Sequence, residues 1–246
     1  MPLLEVRDVS VRFGGQMALE SVSLGVEARQ IAGLIGPNGA GKTTLFNVIT
    51  GLQAATRGVV HLDGNEVTRL APHDRAQRGI ARTFQRLELF GSLTVRENLQ
   101  VAAEIPRRWG PDDESAESRV KAAIELIGMK SFADRRADQI TTGQARLTEL
   151  GRALVTKPKV LLLDEPASGL DGDETETFAD LLMALARNGI ALLLVEHDMT
   201  LVMQVCSRIH VLDFGRLIAS GTPDEVRHDA AVVSAYLGAD HVEAGR

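Results

Sequence analysis

The chain of 246 residues contains one cysteine, one tryptophan and one tyrosine, and aromatic residues make up only 4% of it. A single thiol, Cys206, can form no internal disulfide, which excludes a disulfide-built scaffold and fits a reducing compartment. Within "LVMQVCSRI" it reads as a small core residue. No apolar stretch reaches the roughly 18 residues that a spanning helix needs, and "MPLLEVRD" shows no basic and apolar leader. The expectation is a cytosolic protein, attached to a membrane only through a partner. Positive charge is not in excess either. A net charge of −6 disfavours a general grip on nucleic-acid phosphate, so no nucleic acid is expected as a partner. There is no internal repeat and no low-complexity tract.

What the chain does have is an apolar content of 44%, enough for a sizeable core, arranged in two patterns. The start is β-rich: "LLEVRDVSVRF", "SVSLGVEA", "QIAGLIG" and "GVVHLDG" read as strands and turns, and "KTTLFNVITG" reads as a helix closed by Gly51. Between about Leu87 and Thr156 the pattern turns helical. Thr94 and Glu97 form a capping box there, and "IPRRWGPDDES" is a break whose Asp112, Asp113 and Glu114 read as a solvated loop. Strand and helix then alternate: "KVLLLDEP", a helix over Glu174 to Arg187, "IALLLVEHD", and a helix over Met199 to Cys206. Continuous aliphatic strands joined through helices predict a parallel sheet covered on both faces. "RIHVLDFGRLIASG" predicts a hairpin turning at Phe214 and Gly215. Thr222, Pro223 and Glu225 mark one more helix start.

Two stretches carry chemistry on residue grounds alone. "GPNGAGKTT", comprising Gly36, Pro37, Asn38, Gly39, Ala40, Gly41, Lys42, Thr43 and Thr44, fits the phosphate-loop pattern and lies between an apolar strand and a helix, where that pattern works. Its glycines let successive N–H groups point at phosphate. Lys42 can neutralise the β and γ phosphates, and the Thr43 hydroxyl can be offered to magnesium. "VLLLDE" ends a buried strand in two carboxylates, of which Asp164 would hold magnesium and Glu165 would polarise an attacking water. A third stretch, "QITTGQAR", precedes an apolar stripe of Leu147, Leu150, Leu154 and Val155. The helix is predicted to start near Gly143, with the Thr141 and Thr142 hydroxyls beside its N–H groups. Alone, that stretch reads equally as an anion site or as an ordinary capped helix.

In their order along the chain these motifs resemble those of the ATP-binding cassette family of transport ATPases, and the resemblance covers nearly the whole sequence. The phosphate loop is followed by "RTFQ" with Gln85, by "ITTGQ" where the family signature stands, by Asp164 and Glu165, by "SGLD" with Ser168 and Asp171, and by "VEHD" with His197. The resemblance implies one nucleotide-binding domain over 1–246. Its fold would be α/β: a RecA-like phosphate-loop NTPase core with an N-terminal antiparallel β subdomain, an inserted helical subdomain at about 87–156 and a helical tail at about 222–246. It further implies that ATP and Mg2+ are bound, with Gln85 contacting magnesium and the attacking water, His197 holding the γ-phosphate, and Asp171 linking two subunits. Thr141, Thr142, Gly143 and Gln144 would cover the ATP of a second subunit. Phe13 would either stack on adenine or fill the core. Two residues depart from the family pattern: Thr142 replaces a glycine, and Gly151 stands where alanine is commoner.

Further stretches, "FGGQMALESVSL", "GIARTFQRLELFGSLTVRENL", "VEHDMTLVM" and the tail "GTPDEV", are similar to the ATPases of branched-chain amino acid importers. That similarity implies two permease subunits, a second ATPase chain identical or related to this one, and a solute-binding protein reached through the permease, with this chain held at the cytoplasmic face of the cell membrane by the permease subunits. Leu89, Phe90 and Leu93 stand where the family docks a permease helix, or else they are buried in the helical subdomain. Lipid or lipopolysaccharide export and a nucleotide-dependent regulatory dimer are the rival readings. A nucleotide kinase would leave "SGLD" and "VEHD" without a role.

Overall fold

The computed structural model describes residues 1–105 and 114–243, with side chains of the last helix described as far as Tyr236. Asp112 and Asp113 of the expected acidic loop, and the end of the expected tail, lie outside the described residues.

Two sheets form the frame. Strands β1 (Leu4–Phe13), β2 (Gln16–Val26), β4 (Arg57–Leu62) and β5 (Asn65–Glu66) make an antiparallel sheet in the order β2-β1-β4-β5. The second sheet runs β10-β9-β3-β8-β7-β6, from β10 (Arg216–Gly221) and β9 (Arg208–Asp213) through β3 (Ile31–Ile35), β8 (Ala191–Val195) and β7 (Val160–Asp164) to β6 (Ile80–Arg82). It is parallel except for β10, which pairs antiparallel to β9 through the expected turn at Phe214 and Gly215.

Strands β3, β7 and β8 are buried at every residue, which is why they read as unbroken aliphatic runs. Their alternate side chains serve two cores. Leu34, Leu162 and Leu193 face the antiparallel sheet, with Phe46 and Ile49 of helix α1 (Lys42–Thr50) packed between the sheets. Ile35, Leu161 and Leu192 face α6 (Gly172–Arg187) and α7 (Met199–Val205) through Phe178, Leu182 and Val202. Each fully buried leucine contributes about 2 kcal/mol of apolar transfer.

A third core joins α3 (Val95–Ala103) to α4 (Ala116–Leu126) through Leu99, Val120 and Ile124. Helix α5 (Thr142–Leu154) is the wall shared with the second core: Leu150 belongs to that core, while Leu147 and Leu154 pack against both. Gly151 permits this approach, since a Cβ there would meet Ile127 Cδ1 at 2.8 Å and Leu99 Cδ2 at 3.1 Å.

Some elements differ from the sequence expectation. Strand β2 begins at Gln16, earlier than expected, after a turn at Gly14 and Gly15. Helix α2 (Pro72–Gln77) and strand β6 were not anticipated. Residues 87–93, expected within the helical pattern, are irregular. The predicted hairpin, both capping boxes and the closure of α1 at Gly51 are present. The chain ends in α8 (Pro223–Arg227) and α9 (Ala230–Glu243). Among the described residues no helix is long and apolar enough to cross a membrane.

Candidate functional site

The phosphate loop leaves the C-terminal end of β3 between its neighbours β8 and β9, the end of a parallel sheet where ligands gather. Gly36 has φ +148, and a Cβ there would overlap the Leu212 carbonyl oxygen of β9. Only glycine lets the chain turn so close to that strand. The other wall is pinned by Gly215, whose N–H donates to the Ala40 carbonyl at 2.9 Å. Lys42 opens α1 and donates from Nζ to the carbonyls of Gly36 (2.6 Å) and Pro37 (2.9 Å). Burial draws its pKa below the usual lysine range, while the nearby Glu165 and Asp164 carboxylates pull the other way. No side chain caps α1, so its first-turn N–H groups remain available to an anion.

Asp164 closes β7 and Glu165 follows it. Asp164 is buried and paired with Arg82 Nη2 at 2.9 Å. Arg82 also donates to Asn47 Oδ1 at 2.6 Å and lies 5.4 Å from the Phe46 ring centre and 5.0 Å from that of Phe84. It ties α1, β6 and β7 into one unit. Glu165 adopts φ +49, a left-handed conformation that costs a non-glycine residue on the order of 1 kcal/mol. Its N–H is held by the Val195 carbonyl at 2.8 Å, and its Oε2 accepts from Gln85 Nε2 at 2.9 Å. The two side chains expected to handle the attacking water are therefore in direct contact.

Glu196 is a buried carboxylate just before His197. It accepts from the N–H groups of Ala167 (2.8 Å) and His197 (3.1 Å), fastening the loop after β7 to the end of β8. The His197 ring is 72% exposed, with Nδ1 3.7 Å from Glu196 Oε2. Sequence reasoning passed over both Arg82 and Glu196. The only signal for Arg82 was a basic residue three positions before Gln85, and for Glu196 a carboxylate closing an aliphatic run.

The signature residues form a second group. Thr141 is the N-cap of α5, accepting from the Gln144 N–H at 3.2 Å, while Gln144 Oε1 accepts from the Thr141 N–H at 3.2 Å. The helix thus starts one residue before the expected Gly143. Gly143 sits against the Glu174 carboxylate, which a Cβ would meet at 2.6 Å, and the Thr142 methyl lies 3.0 Å from where a Gly169 Cβ would stand. Asp171 caps α6, its Oδ1 accepting from the Glu174 N–H at 2.8 Å, and the Ser168 N–H donates to the Glu165 carbonyl at 3.2 Å. Among the described residues no hydrogen bond or ion pair joins Thr141–Gln144 to Gly36–Thr44. The signature's own contacts are instead Thr142 against Gly169 in the loop after β7 and Gly143 against Glu174 of α6. Phe13, at the end of β1, is 51% exposed, so it is not a core residue.

Beside this site lies a groove of about 800 Å³ whose apolar lining includes Leu52, Phe84, Leu87, Phe90 and Ile105. Phe84 and Phe90 are 43% and 48% exposed. Leu89 also lines the groove and is half-buried, whereas Leu93 is half-buried outside it.

The family described as ABC transporter matches residues 19–168, and a second, described as branched-chain amino acid ATP-binding cassette transporter, matches residues 216–242. Among curated proteins, the chain is 39% identical to the high-affinity branched-chain amino acid transport ATP-binding protein BraF of Pseudomonas aeruginosa, over 96% of this chain and 98% of the relative. It is 41% identical to LivG of Salmonella typhimurium, which bears the same description, with the same coverage. The lipopolysaccharide export system ATP-binding protein LptB of Haemophilus influenzae is 34% identical over 97% of this chain and 98% of its own. The solved ADP conformation of an ATP-binding cassette of an ABC transporter superposes with a TM-score of 0.87 at 31% identity, covering 97% of this chain and 99% of that one.

Proposed function

The chain belongs to the ABC transporter family of ATPases, and we propose that its hydrolysis of ATP drives import of branched-chain or related amino acids through two permease subunits. The observation that carries the solute class is the tail: residues 216–242 lie outside the nucleotide motifs and match the branched-chain family. The lower identity to the lipopolysaccharide exporter ATPase supports the same ordering.

In the proposed cycle, the backbone N–H groups of Gly36–Thr44 wrap the phosphates, Lys42 releases the Gly36 and Pro37 carbonyls to neutralise them, and Phe13 stacks on adenine. The Thr43 hydroxyl, the Asp164 carboxylate and the Gln85 carboxamide offer oxygen donors, the chemistry magnesium takes; bound there with the nucleotide, it would offset phosphate charge. Glu165 takes the proton of the attacking water, and Gln85, already hydrogen-bonded to it, orients that water. His197, solvent-facing at the end of β8, reaches the γ-phosphate. Thr141, Thr142, Gly143 and Gln144 cover the nucleotide of a second ATPase chain, and Asp171 links the two; the contacts of Thr142 with Gly169 and of Gly143 with Glu174, and not, among the described residues, with Gly36–Thr44, support that sharing. Closure of the two chains is transmitted through the groove at Phe84, Leu87 and Phe90 to a permease helix at the cytoplasmic face of the membrane.

The test is purification of the tagged chain from native membranes, combined with leucine uptake in cells. Two permease subunits and a second cassette ATPase should be recovered, and Glu165→Gln should abolish uptake. Recovery of lipid-export components, or full uptake in cells lacking the chain, would overturn the importer reading.

A further inference from the structure

We propose that Arg146 and Glu149 are positioning residues that lock the Gln85 segment onto the signature helix, so that the Phe84–Phe90 side of the groove, Gln85 and signature move as one body. This rests on Gln85 and Glu165 forming the hydrolytic pair.

Residues Phe84 to Phe90 have no regular secondary structure, so their backbone groups need partners from elsewhere. Side chains of α5 supply most of them. Arg146 donates to the carbonyls of Phe84 (3.2 Å) and Gln85 (2.9 Å). Glu149 Oε1 accepts from the Glu88 N–H at 3.0 Å, and its Oε2 lies 3.4 Å from Arg146 Nη1. Arg152 donates to the Glu88 carbonyl, and its guanidinium stands 5.2 Å from the Phe90 ring centre. From α3, the buried Asn98 closes the set, accepting from the Phe90 N–H at 2.9 Å and donating to its carbonyl at 3.1 Å.

Residues 146, 149 and 152 recur at three-residue spacing along one side of α5, and Arg146 and Glu149 are 8% and 6% exposed. Burial pushes Glu149 up and Arg152 down from their ordinary pKa values, so desolvation is a real cost at this face. Leucines here would pack without that cost, but they could not hold irregular backbone in a fixed place. The hydrogen bonds give geometry: Arg146 grips the carbonyl of the very residue whose carboxamide touches Glu165. At its other end α5 sets Thr142 against Gly169 in the loop after β7 and Gly143 against Glu174 of α6. A push on Phe84, Leu87 or Phe90 therefore reaches Gln85 and the signature together.

The experiment is a double-mutant cycle on Mg-ATP hydrolysis by the full chain, using Glu149→Ala, Glu149→Gln and Gln85→Ala. Glu149→Ala should lower kcat about tenfold with KM for ATP held within about twofold, because no phosphate-loop contact is touched. Glu149→Gln keeps an oxygen that accepts from the Glu88 N–H, and should restore most of kcat. In the Gln85→Ala background, Glu149→Ala should have no further effect. Independent multiplicative losses, or a rise in KM at constant kcat, would overturn the proposal. If Gln85→Ala leaves hydrolysis intact, it is the role of Gln85 that fails, and amide hydrogen exchange then decides on the clamp. The Glu88 amide should exchange faster in Glu149→Ala than in wild type or Glu149→Gln, and equal protection in all three would sink it.

Discussion

Glu165 is held in a left-handed backbone conformation by β7 and β8, with its carboxylate on Gln85. A strained residue in contact with the carboxamide proposed to orient water is arranged for reaction more than for stability. Glu165→Gln should reduce steady-state hydrolysis by about a hundredfold or more while ATP binding persists, and ATP should then trap a dimer visible by size-exclusion chromatography. Hydrolysis at the wild-type rate would remove Glu165 as the base. A second titratable group acts on stability alone. His210 is buried on β9 beside Ser220, and desolvation brings its pKa down to about 4. The folded imidazole resists protonation that the unfolded chain accepts near its ordinary value of 6.5. Its contribution is therefore complete above that value and is lost as pH falls toward 4, about 2 kcal/mol between pH 7 and pH 5. Urea unfolding at the two pH values should show this slope in wild type and a flatter one in His210→Asn. Lys42, Asp164 and Glu165 were legible because each belongs to a local motif. Arg82 was not, since its partner Asp164 lies 82 residues away and only the pairing of β6 with β7 brings them together.

Among the elements, α5 carries most of the consequences. Its capping box spends the Thr141 hydroxyl and the Gln144 carboxamide on its own N-terminus. Thr141→Ala should therefore cost about 1 kcal/mol of unfolding free energy, read by denaturant titration, in addition to any loss of turnover. Thr142 places a methyl group over Gly169 where the family pattern has glycine. We expect Thr142→Gly to raise ATP turnover by freeing that approach; unchanged turnover would show that the methyl is accommodated. Strands β3, β7 and β8 could be read from sequence because both of their faces are buried, leaving no polar residue to interrupt the run. Helix α2 could not, since "PHDRAQ" has no apolar face; its buried residue is Arg75, which donates to the Val48, Ile49, Leu70 and Thr68 carbonyls. Strand β6 is only three residues long, and "QMALE" at the start of β2 lacks clean alternation.

For the molecule as a whole, the exposed rings of Phe84 and Phe90, at the two ends of the segment that carries Gln85, line the groove. Phe90→Asp should lower recovery of permease subunits in a quantitative pull-down several-fold, and equal recovery would place the docking surface elsewhere. Phe90 was singled out from sequence by its motif, but Leu52 and Ile105 were not, because they come from separate segments and meet only at the groove. The strand order β10-β9-β3-β8-β7-β6 also governs how the protein comes into being during synthesis. Strand β3 and the loop that follows it are translated early, yet both sheet neighbours of β3 lie beyond Ile190, and the carbonyl that walls in Gly36 belongs to Leu212. Assembly of the central sheet must wait for those late segments, a long-range closure of the kind that slows folding. A nascent chain still lacking β9 carries every residue of the phosphate loop without the wall that shapes it.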